Sequence, residues 1–407
     1  MVGRDPDEQH RASSPLELLF DLTFVVAVGT ASANFADAFV DGHQRAAMIG
    51  ALIAMFAISL AWINYSWFAS SFSTDDWLDR LLTMVQMIGV VVFALGIPPM
   101  FRSLDVADGR VEFRLMVIGY VIMRIAMVLQ WWRVSRQSEG FHRVAMVNAV
   151  GLVVTQAGWV AIAFTRPHVA VALVLFALLA LVELLLPVFA QGRANGTPWH
   201  PHHVAERYSL FVIIALGEGV VGTVASSSGL LGGENGLHWT GNAVAVAVAG
   251  VGLTFGLWWV YFSVEFGEML SRRRDLGYVF GYGHIFVFSG IAGAGAGLHI
   301  IGLKMEHHAD IGPVTTVAAL VIPVAVYLVA IFALYTILSG EPDRFHLLLI
   351  SVTALILILA LVLAVVGVPI AVCLIVVMAA PFVTVLGYET VGHRHQQAVL
   401  EEAGATE

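Results

Sequence analysis

Long apolar blocks separated by short polar breaks dominate the chain. Reading each block of about twenty apolar residues as one bilayer crossing predicts twelve helices, at 15–40, 46–70, 77–99, 113–133, 143–165, 168–190, 207–228, 241–266, 275–302, 312–338, 345–366 and 369–388. The breaks carry turn chemistry. Asp41-Gly42-His43 follows the first block, Ser73-Thr74-Asp75-Asp76 follows the second, and Pro98-Pro99 is expected to end the third. The longest polar stretch, Gln191–Pro201, falls near the middle and holds Gly192, Gly196, Pro198 and Pro201. The pattern therefore predicts an all-α integral membrane protein, with a tail over 1–14, six helices over 15–190, a linker over 191–206, six more over 207–388 and a tail over 389–407.

Charge sets the expected orientation. Arg45, Arg102, Arg110, Arg114, Arg166 and Lys304 fall in loops opposite the N-terminus, Arg124 falls inside a helix, and the other thirteen of the 20 Lys+Arg fall on the N-terminal side. Basic residues concentrate on the cytoplasmic side, so both termini are expected in the cytoplasm. Trp62, Tyr65 and Trp67, and later Trp258, Trp259 and Tyr261, would then sit at cytoplasmic helix ends, where such rings anchor a span at the headgroups.

The two halves echo each other. R-A-S-S-P-L-E-L-L-F-D from Arg11 leads into V-G-T-A-S, and R-Y-S-L-F-V-I-I-A-L-G-E from Arg207 leads into V-G-T-V-A-S. W-I-N-Y from Trp62, followed by Gln86 in the next helix, has its counterpart in W-W-V-Y from Trp258, followed by His284. Six helices per half is an even number, so the repeats would enter the membrane in the same sense, an arrangement common among secondary transporters.

These stretches resemble the bacterial low-temperature-requirement A family: S-P-L-E-L-L-F-D-L-T-F-V from Ser14, R-Y-S-L-F-V-I-I-A-L-G-E from Arg207, and the W-W-V-Y segment with His284 beyond it. The resemblance runs from about Ser14 to Tyr388. Gly219 departs from it, since many members would have serine after the glutamate. The resemblance implies a multi-helix inner-membrane protein of a family named for a cold-growth requirement; it implies no particular activity.

Composition agrees with a membrane protein: 59% hydrophobic and 12% charged residues, against roughly a quarter charged in soluble domains. The net charge of −9 argues against a nucleic-acid partner, and the single cysteine, Cys373, excludes an intrachain disulfide and a cysteine-based metal cage. The N-terminal stretch from Arg4 to Ser14 is polar, so a removable signal peptide is not expected.

Ionisable groups inside spans are costly, and are kept because they are paired or functional. Arg124, Glu218, His284 and Gln86 each lie about ten residues into their helices and would meet near the midplane, with Arg124 and Glu218 as the natural ion pair. Glu17 and Asp21, four apart, share one face of the first helix. Glu183 lies toward the cytoplasmic third of the sixth. Acidic groups outnumber the one arginine at such depth, so one or more carboxyls should carry a proton at neutral pH. Those seven residues are the candidate substrate- or ion-binding set, and a proton-coupled transporter of a small solute is the expected function. An ion channel lined by the same groups, or a non-transporting membrane protein of cold or stress adaptation, is the alternative. A static reading has Arg11 pairing with Asp21 and Arg207 with Glu218, simply fixing helix register.

Other motifs carry less. His200-x-His202-His203, Glu306-His307-His308 and His393-x-His395 do not build one helix face, so no metal is expected. Gly290, Gly293, Gly295 and Gly297 lack a phosphate-loop pattern and read as helix packing. No hydrolase or zinc-protease signature is present, so neither an enzyme nor a cofactor is expected. The expected partners are the lipid bilayer and a small solute or ion, and a homo-oligomer is one assembly such a chain could form.

Overall fold

The computed structural model describes the whole chain except residues 2, 7, 9–10, 105–108, 193–195, 234–235, 238–239, 306–310, 341–343 and 393–407. Its helices are α1 (Pro15–Val40), α2 (Gln44–Phe72), α3 (Trp77–Leu104), α4 (Arg114–Gln137), α5 (His142–Thr165), α6 (Val169–Gly192), α7 (Pro201–Leu231), α8 (Gly241–Phe262), the short α9 (Phe266–Arg272), α10 (Gly277–Met305), α11 (Pro313–Ser339), α12 (Arg344–Val365) and α13 (Ile370–Gly387). Among the described residues, twelve helices are long and apolar enough to cross a membrane. The outward side chains say the same. Leu178, Leu181 and Leu185 of α6 and Leu355, Ile358 and Leu359 of α12 are exposed, and contiguous apolar surface of that kind suits hydrocarbon rather than water.

Several helix boundaries differ by a few residues from those the sequence predicts, and three of the differences are informative. α3 runs through Pro98 and Pro99 to Leu104. Prolines are tolerated in a membrane helix because neighbouring groups re-satisfy the backbone that the ring frees. α7 begins at Pro201 rather than at 207. Proline fits a helix's first turn, where its missing N–H would have no partner anyway. The eighth span breaks after Phe262 and resumes as α9 at Phe266, among polar residues at a helix end.

The chain divides into two units, Met1–Phe35 with Arg45–Arg207 and Ala36–Gln44 with Tyr208–Glu407. In the first, α3, α4, α5 and α6 pack in chain order, and α2 meets α6 where the Phe56 and Phe176 rings lie 5.8 Å apart. α3 and α4 touch backbone to backbone: a Cβ on Gly119 would lie 2.2 Å from Phe93 N, and one on Gly96 2.3 Å from Met116 N. In the second unit α10, α11, α12 and α13 pack in chain order, and α13 also packs on α8. A Cβ on Gly290 would lie 2.8 Å from Tyr327 N, and one on Gly297 2.7 Å from Ala319 O. The glycine-rich face of α10 serves two neighbours, because Gly295 instead lies against Glu218 of α7. Close approach at small residues is the usual way membrane helices gain contact.

Candidate functional site

The densest buried charge lies where the first turns of α1 and α7 meet inside the first unit. Both helices open on a proline, Pro15 and Pro201. Two residues past each proline stand Glu17 and His203, and six residues past stand Asp21 and Arg207. The four-residue stride puts each pair on one helix face, at matched depths of about 3 and 9 Å along the axis. All four side chains are buried, Asp21 and Arg207 completely.

Ser14 and Glu17 form a capping box. Glu17 N donates to Ser14 Oγ at 3.3 Å, and Ser14 N donates to Glu17 Oε2 at 2.8 Å. That leaves Oε1 for α7, where it lies 3.0 Å from Arg207 Nη1 and 3.3 Å from His203 Nε2. Arg207 also pairs with Asp21 through Nη2 and donates from Nε to Oδ2 at 3.2 Å. Trp62 of α2 donates its indole N–H to Asp21 Oδ1 at 2.6 Å. The inner end is well bonded and the outer end is not: among the described residues, Glu17 Oε1, Arg207 Nη1 and both ring nitrogens of His203 are buried without a hydrogen bond of good geometry.

Sequence reasoning set His203 aside with its histidine-rich motif and missed Arg207. With the helix started at 207, it counts as a loop charge; started at Pro201, it is buried and level with Asp21. Asp21 therefore pairs with Arg207 and not with Arg11. Arg11 donates to the carbonyls of Ala69, at 2.7 Å, and Ser70 in the last turn of α2, the negative end of that helix dipole. Burial pulls the Arg11 guanidinium down to about 10, so it stays charged at neutral pH.

Arg124 has a different partner from the one expected. Its Nη2 lies 3.3 Å from Glu183 Oε2 and donates to Tyr120 Oη at 2.5 Å. Tyr120 in turn donates to Glu183 Oε2 at 2.5 Å, and Trp159 and Gln156 donate to Oε1 at 2.8 and 3.2 Å. Glu183 thus accepts from four groups on α4 and α5, which nearly fills its capacity. Beside it, Ile53, Phe56, Phe93, Val117, Tyr120, Trp159 and Phe176 line an apolar cavity of about 40 Å³, room for a few waters at most.

Gln86 donates to Gln130, and Gln130 donates to Asp79, at 2.8 and 3.1 Å, a chain that ties α3 to α4. In the second unit, His284 Nδ1 lies 2.8 Å from the Phe280 carbonyl. A carbonyl only accepts, so Nδ1 carries the hydrogen, and Tyr261 donates its hydroxyl to Nε2 at 3.0 Å. With Tyr208, Phe280, Phe266 and Phe288 around the ring, both ring nitrogens of this buried histidine are satisfied. Glu218 is half-buried and has no partner among the described residues. Gly219 lies against Thr254, whose Oγ1 would be 2.4 Å from an added Cβ, so a side chain there would displace that hydroxyl. His200 engages the Glu8 carbonyl through Nε2 at 2.9 Å. The other two histidine-rich motifs, from Glu306 and from His393, lie outside the described residues.

Asp76 caps α3, accepting from Leu78 N and Asp79 N at 3.1 and 3.0 Å, and pairs with Arg133 of α4. The hydrogen bond from Arg133, helped by the Asp79 amide, holds the Asp76 carboxyl well below its usual range. A group depressed in the folded state adds stability that is complete above its unfolded value, near 4, and is lost as pH falls through the folded one. Asp76→Asn is expected to flatten the loss of thermal stability below about pH 4. A wild-type acid limb retained unchanged in that variant would remove Asp76 as its source.

Residues 12–381 match the bacterial low temperature requirement A protein family. The chain is also 26% identical, over 303 residues, to an uncharacterized protein of Rhizobium meliloti (strain 1021), across 71% of this chain and 69% of that one. The motifs of α1 and α7 that carry the buried cluster lie within the matched span, and the chain belongs to the bacterial low temperature requirement A family.

Proposed function

We propose that this multi-pass protein resides in the bacterial cytoplasmic membrane and moves a small solute in exchange for, or together with, protons, with the Glu17–Asp21–Arg207–His203 cluster as the proton site. One observation carries the reading: two buried carboxylates share one guanidinium, with an imidazole 3.3 Å from the outer carboxylate. With His203 neutral, the cluster is one positive charge short. One proton, on His203 or on a carboxyl, balances it. In a medium of low dielectric that proton changes the attraction between α1 and α7 by far more than it would in water. The poorly bonded outer end leaves room for it to arrive and depart. Glu218, further along α7 and without a partner among the described residues, is a second candidate proton carrier.

Termini on the cytoplasmic side agree with the charge bias, which is twelve against six once buried Arg207 is removed from the loops. Two six-helix repeats are supported by the same internal packing order in each unit. Gly89 and Gly96 on α3 are spaced like Gly290 and Gly297 on α10, each pair touching the next helix. Six residues before each pair, a side chain bonds a tyrosine of the preceding span: Thr83 with Tyr65 at 3.2 Å, and His284 with Tyr261 at 3.0 Å. By this register Thr83, rather than Gln86, corresponds to His284.

The test uses purified protein in liposomes holding a pH-sensitive dye, with an imposed membrane potential and pooled candidate solutes. Solute-dependent proton movement is expected in wild type, and its loss in Asp21→Asn and His203→Gln with thermal stability retained. Ion flux without solute would replace the transporter by a channel, and no flux of either kind would end the reading.

A further inference from the structure

A second site of different chemistry lies at the end of α8 in the other unit. Phe255, Trp258, Trp259 and Phe262 form an aromatic wall, and with Tyr388, Glu265 and Glu389 they line a cavity of about 400 Å³. The rings are ordered against one another. Trp258 stacks on Phe255 at 5.5 Å and on Phe262 at 5.2 Å, and Trp259 meets Phe255 edge-on at 5.5 Å. Trp259 donates its indole N–H to Glu389 Oε1 at 3.2 Å, which fixes one carboxylate beside the wall. Neither Glu265 nor Glu389 is paired with a cation among the described residues. Of the arginines that follow in sequence, Arg272 pairs with Glu268 and Arg273 with Asp275.

We propose that this cavity binds an organic ammonium ion. Tryptophan faces attract cations through the ring quadrupole, and the two carboxylates supply the countercharge. A small metal ion would have to give up its water to aromatic carbon, which offers it no ligand atoms. An anion would meet two like charges. An alkylated ammonium satisfies both halves of the site, since its carbon substituents pack on the rings while its charge faces the glutamates. Anchoring at the headgroup level accounts for the tryptophans alone, but it gives no reason for two uncompensated carboxylates beside them. The ammonium belongs either to a lipid headgroup or to a free solute, and the site is independent of the proton cluster and of transport.

The experiment titrates the full-length protein, in maltoside micelles free of ammonium lipids, with tetramethylammonium chloride. Tryptophan fluorescence and calorimetry are followed, with sodium chloride at equal ionic strength as reference. Saturable binding that sodium does not reproduce is expected. It should weaken roughly tenfold in Trp258→Leu, and at least as much in the double variant Glu265→Gln/Glu389→Gln, which keeps an amide oxygen able to accept from Trp259. Both glutamates are exposed, so this double variant decides the matter even if Trp258→Leu fails to fold. A repeat in phosphatidylglycerol nanodiscs with and without phosphatidylcholine separates the sources. Blockade by the choline lipid assigns the site to a headgroup, and undiminished binding assigns it to a free cation. Absence of saturable binding in micelles, or equal binding in the glutamate variant, overturns the proposal.

Discussion

Arg207→Gln is expected to cost about 3–5 kcal/mol of stability, the usual penalty for removing one partner of a buried ion pair. The substitution leaves Glu17 and Asp21, both buried, with no guanidinium between them. Asp21 keeps the indole of Trp62 and Glu17 keeps the Ser14 amide, and neither donor balances a full charge. The measurement is thermal unfolding in detergent, where a clearly lowered midpoint is expected. Adding Asp21→Asn should recover most of the loss, because an asparagine oxygen still accepts from Trp62 and one negative charge is gone. The same double variant should remain unable to couple protons, since Glu17 is then the one carboxylate left in the cluster and no guanidinium remains to be shared. An unchanged midpoint in Arg207→Gln would mean that water reaches the cluster and screens it, and the proton site would have to be sought elsewhere.

Which segments cross the membrane was legible in the sequence because bilayer thickness dictates it: a run of apolar residues of the right length has few other uses. Helix ends were legible where water can reach the released backbone groups and turn residues mark them, as at Asp41-Gly42. Reading proline as a stop failed at Pro98-Pro99 and Pro201, because its effect depends on position within the helix and on what surrounds it. Partners were the least legible, since which helices touch is a tertiary property. Arg124 and Glu218 share a nominal depth, yet Arg124 meets Glu183, and nothing in either local sequence distinguishes the two carboxylates. The α1–α7 cluster did leave a trace: Pro15-x-Glu17 followed by Asp21, against Pro201-x-His203 followed by Arg207, keeps the same spacing from a helix-opening proline. Aligning the halves on Arg11 and Arg207 hid that correspondence by placing the two helix starts out of step.

Arg124→Met should also lower stability by about 3–5 kcal/mol, and the contrast with Arg207 lies in how the loss is repaired. Glu183 would keep Tyr120, Trp159 and Gln156 as donors but would lose its only ion-pair partner among the described residues. In Arg124→Met/Glu183→Gln no charge remains to be buried, and the glutamine oxygen still accepts from Trp159, so most of the stability should return. Glu183→Gln alone strands the buried guanidinium with only Tyr120 and should be nearly as damaging as Arg124→Met. Because Glu183 already accepts from four groups, this network has little capacity to take up and release a proton, and its neutral form should do the same structural work. Solute-dependent proton movement should therefore survive in the Arg124→Met/Glu183→Gln protein, whereas it should be absent from Arg207→Gln/Asp21→Asn at comparable thermal stability. If the former folds normally and carries no flux, Arg124 and Glu183 belong to the transport machinery, and the saturated bonding of Glu183 is then one state of a moving part.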